Sequence, residues 1–458
     1  MEEEIGSTEL DLIRNNPKKA IRVMSIPVTL SVFFLILNSL VDTAWVSGLG
    51  SQAIAAVGFI TPLSMALAGF GTGLGAGANS VISRFIGADN LKRANDSATH
   101  SVVLVLAIVI FLTLFLFIFK DNVLLVLGAK DVMEWGRPFL FWVIIGIFSL
   151  VLPGVFSGIL RSNGEIKRAT YPLIAAAFVN MVIDPIFIYS FGLGIGGASL
   201  ATTLAQTVFG LLPMVYWLFI KKDNVVKIKF KGFKSDISIY KDILVVGIPA
   251  SLEEFVLALL SAIINGVLVI TAGTIGVAVF SAAWRLIGIG ITPAIGVGSA
   301  AVTVIGAAYG AKNWKNLKTA FSSAIEMSMW LSLAVCIIFY IFAGDLASLF
   351  AFTPKNATLV PLMAEAIRLL SLYIVVVPFG LVAAFYLQGV GKGVKSLVLT
   401  IIGELVFVVL GLIFFVYVMD WGIIGVYVGI IAGGLIGSLT AYVIAKRDML
   451  KTITPIKT

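Results

Sequence analysis

A chain of 458 residues that is 59% hydrophobic and only 12% charged is not an ordinary soluble protein, in which charged residues make up about 25%. With a mean hydropathy of +1.07 it reads as a polytopic protein of the lipid bilayer. A single cysteine, Cys336, and a single histidine, His100, exclude a disulfide framework and a thiol or histidine-rich metal centre.

In chain order, residues 1–22 mix Glu2, Glu3 and Glu4 with Lys18, Lys19 and Arg22. They read as a cytoplasmic tail or interfacial helix rather than a cleaved signal. Twelve apolar stretches follow, near 23–47, 53–83, 98–119, 133–157, 169–190 and 195–220, then 243–271, 274–307, 319–343, 361–387, 396–418 and 421–445. Each meets the roughly 20 residues that cross the hydrocarbon core, and none shows the alternation of a barrel strand. The expected fold is an all-α polytopic membrane protein of 12 transmembrane helices: a bundle over 23–220, a basic linker over 221–241, a bundle over 242–445 and a tail over 446–458.

On the assumption that loops alternate sides, 26 of the 32 lysines and arginines fall on the side of both termini, and only five on the other. The positive-inside rule then makes both termini cytoplasmic, in a multi-pass protein of the plasma membrane. This loop asymmetry accounts for the net charge of +8 without a nucleic-acid partner. His100 sits near a helix end as an interfacial residue. Thr353-Pro354, on the outward side, is a candidate gate.

The halves repeat. Pro27 returns as Pro249, Gly87-Ala88 as Gly310-Ala311, Leu160 as Leu387, and Gly194 and Gly197 as Gly422 and Gly425, at an offset between 222 and 228. Six helices per half is an even number, so the repeat is parallel, as in transporters that rock two bundles against each other. The linker, with Lys221, Lys222, Lys227, Lys229, Lys231 and Lys234, is expected to permit that motion. The glycine-rich runs 69–77 and 288–298 lie in apolar helices and read as packing surfaces, not phosphate loops.

Asp42 and Asp184 interrupt long apolar stretches, each preceded four residues earlier by an asparagine, Asn38 and Asn180. That spacing places amide and carboxyl on one helical face. An intramembrane carboxylate costs at least about 2.5 kcal/mol, so it is kept where it lines a bundle interior or a wet cavity and binds something. Pro185 lacks an N–H, which frees the Met181 carbonyl to face an ion or water.

Two parallel six-helix halves, the Ala44-Trp45-Val46-Ser47-Gly48-Leu49-Gly50 segment and the stretch Asn180-Met181-Val182-Ile183-Asp184-Pro185-Ile186-Phe187-Ile188 together resemble the multidrug and toxic compound extrusion (MATE) family. Within that family, part of the MOP flippase superfamily, the chain is similar to the prokaryotic (DinF-like) branch whose amino-terminal half binds the coupling cation. The resemblance implies a secondary active antiporter that exports cationic or amphipathic organic compounds in exchange for H+ or Na+. It also implies a cation site at Asp42, Asn180, Asp184 and Thr202, with Asn38 in support and with Pro27 bending the first helix. Thr202 has the alternative of bonding its own helix carbonyl, and Pro27 that of being tolerated near a helix start. Two close acids with neutral oxygens suit a shared proton or a small hard cation.

The second half carries a partial echo. Ser31, Asn38 and Asp42 are spaced i, i+7, i+11, and Glu254, Ser261 and Asn265 repeat the spacing in the seventh helix, making them candidates for the substrate cavity; structural pairing is the alternative for Glu254. Glu253, about 100° round the helix, should face a neighbouring helix or the wall. Arg285 calls for an acidic partner among Glu253, Glu254 and Glu404, and Glu326 and Glu404 are interfacial or cavity-lining. Met24, Phe59 and Trp142 are candidates for an adaptable drug surface. The expected partners are small organic cations and the bilayer, with the chain acting as a monomer and with no cofactor beyond the coupling ion. Two other readings remain open: a flippase of lipid-linked oligosaccharides or lipids, which would call for a basic cavity, and a cation channel. The sequence offers no histidine–acid cluster or cofactor motif for an enzyme.

Overall fold

The computed structural model describes residues 10–221, 223–350 and 358–454. Glu2, Glu3, Glu4, Lys222 and the candidate gate at Thr353-Pro354 lie outside the described residues.

Among the described residues the long elements are all helices: α1 (Pro17–Ser47), α2 (Ser51–Gly87), α3 (Leu91–Ile118), α4 (Lys130–Ser162), α5 (Ile166–Ser190) and α6 (Gly194–Lys221). A helical run of 74 residues, Ile237–Gly310, follows. Gly273 breaks it with φ 63° and ψ −162°, a conformation open to glycine at little cost. The run is therefore two helices, α7 (237–272) and α8 (274–310). The rest are α9 (Trp314–Ile341), α10 (Val360–Gly389), α11 (Gly393–Val418) and α12 (Gly422–Ile453). With the break counted, twelve described helices are long and apolar enough to span. Several outrun their apolar stretches: α1 starts at Pro17, where proline at the first helical position costs no hydrogen bond, and α12 reaches Ile453.

The chain forms two compact units. The first comprises residues up to Asn15, Leu30–Ser251 and Gly310–Lys312; the second comprises Asn16–Thr29, Leu252–Tyr309 and the chain from Asn313. In both repeats the change of unit falls just after the repeat's proline: Thr29 follows Pro27 in α1, and Ser251 follows Pro249 in α7.

In the first unit Ile60, Ile82, Ile144, Ile147, Val151 and Ile159 form a fully buried core. α2 and α4 cross backbone to backbone, because Gly71 and Gly75 face Gly154 and Gly158. A Cβ on Gly154 would collide with the Gly71 carbonyl group. Close approach of this kind replaces the hydrophobic driving force that lipid does not provide. The second unit repeats the device between α11 and α12, where Gly411 and Gly403 face Gly429 and Gly437. Gly71 and Gly75 belong to a run already evident in the sequence as a packing surface; the α12 stripe was equally visible, since Gly425, Gly429, Gly433 and Gly437 recur every four residues, but sequence reasoning assigned it no role. Met24 is 2% exposed, so it belongs to the core rather than to an adaptable surface. Phe59 is exposed. Glu326 pairs with Lys18 at 3.4 Å between exposed side chains.

The linker is fastened to the first unit along most of its length. Asn163 Oδ1 accepts from the Val226 N–H and Asn95 Oδ1 from the Lys227 N–H, both at 2.7 Å, and Thr99 Oγ1 accepts from Lys229 at 3.1 Å. His100 is 2% exposed. Its Nδ1 meets the Asp96 carbonyl at 2.6 Å and its Nε2 accepts the Asp236 N–H at 2.9 Å. Arg168 forks both oxygens of Asp223 at 2.9 and 3.0 Å. The hydroxyl of Ser238 and the Arg93 guanidinium hold the Asp236 carboxyl down at about 2, so it stays an anion facing Arg93 at 2.7 Å. Backbone donors along the segment thus find side-chain acceptors on α3 and at the C-terminal end of α4, and His100, expected as an interfacial residue near a helix end, is instead a buried clasp.

Two measurements test this packing. Gly154→Val should lower the detergent melting temperature by the equivalent of about 1–3 kcal/mol of overpacking, whereas Gly58→Val, with open space around it, should change it little. In hydrogen exchange the Val226 and Lys227 amides should be protected, and Asn163→Ala and Asn95→Ala should each speed the bonded amide about fivefold, as loss of a hydrogen bond of ~1 kcal/mol would. Exchange at the free-chain rate in the wild type would contradict the strap.

Candidate functional site

The site lies where α1 meets α5 in the first unit. One turn separates Asn38 from Asp42 and Asn180 from Asp184, so each amide lies beside its own acid. Asn38 Nδ2 donates to Asp42 Oδ2 at 3.1 Å and to Asn180 Oδ1 at 2.9 Å, and Asn180 Nδ2 donates to Asp184 Oδ1 at 2.7 Å. The two helices are thus joined by the chain Asp42, Asn38, Asn180, Asp184. Asp184 is fully buried, Asn180 is 1% exposed and Asn38 9%; Asp42 is half-buried. The carboxyls lie within hydrogen-bonding reach of each other.

Three oxygens of this cluster accept nothing from the described residues: Asp42 Oδ1, Asp184 Oδ2 and Asn38 Oδ1. Buried acceptors without a donor are rare in folded proteins and call for a proton, an ion or water. All are hard oxygen donors, suited to a proton shared between the acids or to a small hard cation such as Na+. Thr202 stands apart from this hydrogen-bonded chain. Its hydroxyl donates to the Ala198 carbonyl of its own helix at 3.0 Å and makes no hydrogen bond to either acid.

Pro185 shapes the surroundings. Lacking an N–H, it breaks the ladder of α5, and the helix resumes as a π turn over Ile186–Ser190, in which the Phe191 N–H reaches the Ile186 carbonyl at 2.9 Å. π turns often accompany functional sites. The freed Met181 carbonyl was expected to face an ion or water; instead it accepts the Trp45 indole N–H at 3.3 Å. The Tyr189 hydroxyl in turn donates to the Trp45 carbonyl. Trp45 and Tyr189 therefore strap α1 to α5 one turn beyond the acids. Sequence reasoning assigned them no role; the only signal was a donor-bearing ring three residues after Asp42 and another five after Asp184.

In the second unit the polar residues are dispersed. Glu253 accepts from Gln388 Nε2 at 3.1 Å and from Ser396 Oγ at 2.6 Å, so it faces the neighbouring α10 and α11. Glu254 is exposed, and Ser261 and Asn265 are half-buried; no hydrogen bond among the described residues joins the three, and Asn265 Oδ1 has no donor. Glu404 accepts the Tyr373 hydroxyl at 2.7 Å, and the Tyr373 ring lies 5.6 Å from that of Trp284. Arg285 is exposed and has no ion pair among the described residues, against the expectation of an acidic partner. Neutral donors already satisfy Glu253 and Glu404. Pro27 lies inside the continuous helix α1.

Trp45→Phe keeps the ring and deletes the N–H, leaving the Met181 carbonyl without a donor. It should lower stability by about 1 kcal/mol or more, read as a drop in melting temperature. Tyr189→Phe should have a smaller effect, and the pair should be non-additive in a double-mutant cycle.

The MatE family model matches residues 27–186 and 249–413, one block in each half. The chain is 26% identical over 360 residues to an FAD transporter of Shewanella oneidensis, covering 78% of this chain and 77% of that one. It is 23% identical over 322 residues to the multidrug export protein MepA of Staphylococcus aureus, covering 70% of each. Among solved structures, a MATE crystal structure in complex with MaL6 superposes with a TM-score of 0.94 at 36% identity, covering 97% of this chain and 98% of the other. Twelve spanning helices, a proline-marked repeat and a family match to both halves lead to one conclusion: the chain belongs to the MatE family of multi-pass membrane transporters.

Proposed function

We propose that this transporter is a secondary multidrug exporter that expels cationic or amphipathic organic compounds in exchange for H+ or Na+, with Asp42 and Asp184 as the coupling pair. The observation that carries the reading is the pair of facing carboxyls, each with one oxygen held by an asparagine and the other accepting nothing. A proton or Na+ binding there neutralises charge buried between α1 and α5. An organic cation would be stabilised by the same charge, so occupancy by one opposes occupancy by the other. Each charge carried inward adds about 2.3 kcal/mol per 100 mV of membrane potential.

The motion proposed is alternating access of two six-helix bundles, with both termini in the cytoplasm of a monomer. Pro27 and Pro249 are the natural flexing points, because each removes a ladder hydrogen bond just before its helix passes from one unit to the other. With the linker strapped to the first unit, the load of that motion falls on α1 and α7. Thr202 remains a candidate cation ligand through its free lone pairs. Glu254, Ser261 and Asn265 remain candidates for the substrate cavity, and Arg285 for a structural charge.

MepA is named as a multidrug export protein, in keeping with this reading. The relative named as an FAD transporter suggests a second substrate class, but a pyrophosphate beside two buried acids would be repelled. The same argument weighs against a flippase of phosphate-linked sugars.

In proteoliposomes, an imposed pH or Na+ gradient should drive efflux of ethidium. Asp42→Asn and Asp184→Asn should each reduce the gradient-driven rate at least about tenfold, the equivalent of ~1.4 kcal/mol, with the protein still folded by size exclusion. The gradient that suffices identifies the ion. Efflux that survives both substitutions would remove this site from the mechanism.

A further inference from the structure

A cleft of about 460 Å³ opens in the second unit where the start of α11 meets the end of α12. Its chemistry is graded. Along α11 the lining runs from Lys395 through Val398 to Ile402, and along α12 from Lys451 and Arg447 to Ile444. The helices are antiparallel, so cations gather at one end of the cleft and aliphatic side chains at the other. Asp448 is the acid at the cationic rim, and it is engaged by Lys392 at 2.5 Å and Lys395 at 3.1 Å. Arg447 and Lys451 are exposed and have no ion pair among the described residues. Four cations thus face one acid.

The repeat supplies an internal control. At the offset of 227 to 228 that relates Leu160 to Leu387 and Gly194 to Gly422, Lys395 corresponds to Arg168, Lys451 to Asp223 and Ala445 to Trp217. In the first unit Arg168 forks Asp223 and lies 5.8 Å from the Trp217 ring. There the chain seals its own cleft with a salt bridge over an indole. In the second unit the acid at that position has become a lysine and the indole a methyl group; Lys395 turns to Asp448 instead, which leaves space in the cleft and Arg447 and Lys451 at its rim with no ion pair among the described residues.

We propose that this cleft binds one anionic phospholipid of the leaflet on the basic face, its phosphate held by Arg447, Lys451 and Lys395 and an acyl chain lying over Val398, Ile402 and Ile444. The occupant must be anionic at one end and apolar at the other, and a lipid enters from the side along the graded walls. A phosphate in that position takes the part Asp223 plays in the first unit, and the acyl chain covers the wall that Trp217 fills there. Juxtamembrane basic clusters are the usual recognition element for anionic headgroups.

The test uses the full-length protein purified in detergent and titrated with phosphatidylglycerol or phosphatidylcholine, with bound lipid counted by native mass spectrometry. One phosphatidylglycerol should be retained with about tenfold preference, and the double variant Arg447→Gln/Lys451→Gln should abolish that preference. Lys446→Gln should preserve it, since Lys446 sits over the Tyr442 ring and does not line the cleft. Val398→Trp fills the aliphatic wall, leaves the rim untouched and should also expel the lipid; it decides the matter if the double variant does not fold. Equal retention of the two lipids, or a preference unchanged in both the double variant and Val398→Trp, would overturn the proposal. Competition by water-soluble glycerophosphoglycerol at the lipid's own affinity would overturn it in favour of a free phosphate site.

Discussion

The hydrogen bond from Asn38 to Asn180 is the constraint on which the first unit's polar interior depends. Each asparagine orients the acid one turn beyond it, and their mutual bond fixes the distance between the helices that carry those acids. Either acid alone would be an isolated buried carboxyl with a large desolvation cost. Held together through the two asparagines, the acids keep oxygens that accept nothing from the described residues, and the proposed coupling ion, entering between them, would act on α1 and α5 at once.

Proline sets the second constraint. Pro185 breaks α5 just beyond Asp184, and the freed carbonyl is taken by Trp45, which ties the break to α1 and so back to the acid pair. Pro27 and Pro249 each remove one ladder hydrogen bond inside a continuous helix, just before α1 and α7 change unit. In the proposed alternating access, the weak points in the hydrogen-bond ladder would lie beside the proposed ion site and where α1 and α7 pass from one unit to the other.

The two halves diverge from their common pattern at the basic end. In the first unit a linker lies across it, fastened by Asn95, Thr99, His100 and Asn163, and Arg168 is neutralised by Asp223. The second unit keeps the helices and the glycine contacts but has a lysine where Asp223 stands and a methyl group where the indole stands, and Lys395 pairs with Asp448 instead. Duplication supplied the scaffold, and changes at a few positions gave each half its own surface chemistry.

Composition and periodicity by themselves determined the membrane class, the helix count and the parallel repeat, because roughly 20 apolar residues cross a bilayer in few other ways. The Asn-x-x-x-Asp spacing placed amide and carboxyl on one face, since that depends only on the helical turn. Which of those faces meet was decided by tertiary packing: it joined Asn38 to Asn180, left Thr202 bonded to its own helix and gave the Met181 carbonyl to an indole. It also left Arg285 exposed, with no ion pair among the described residues, and turned a basic linker into a strap, because acceptors far apart in sequence, Asn95 and Asn163, converge on its backbone. Local spacing is written in the chain; the pairing of distant donors and acceptors is settled only when the helices pack.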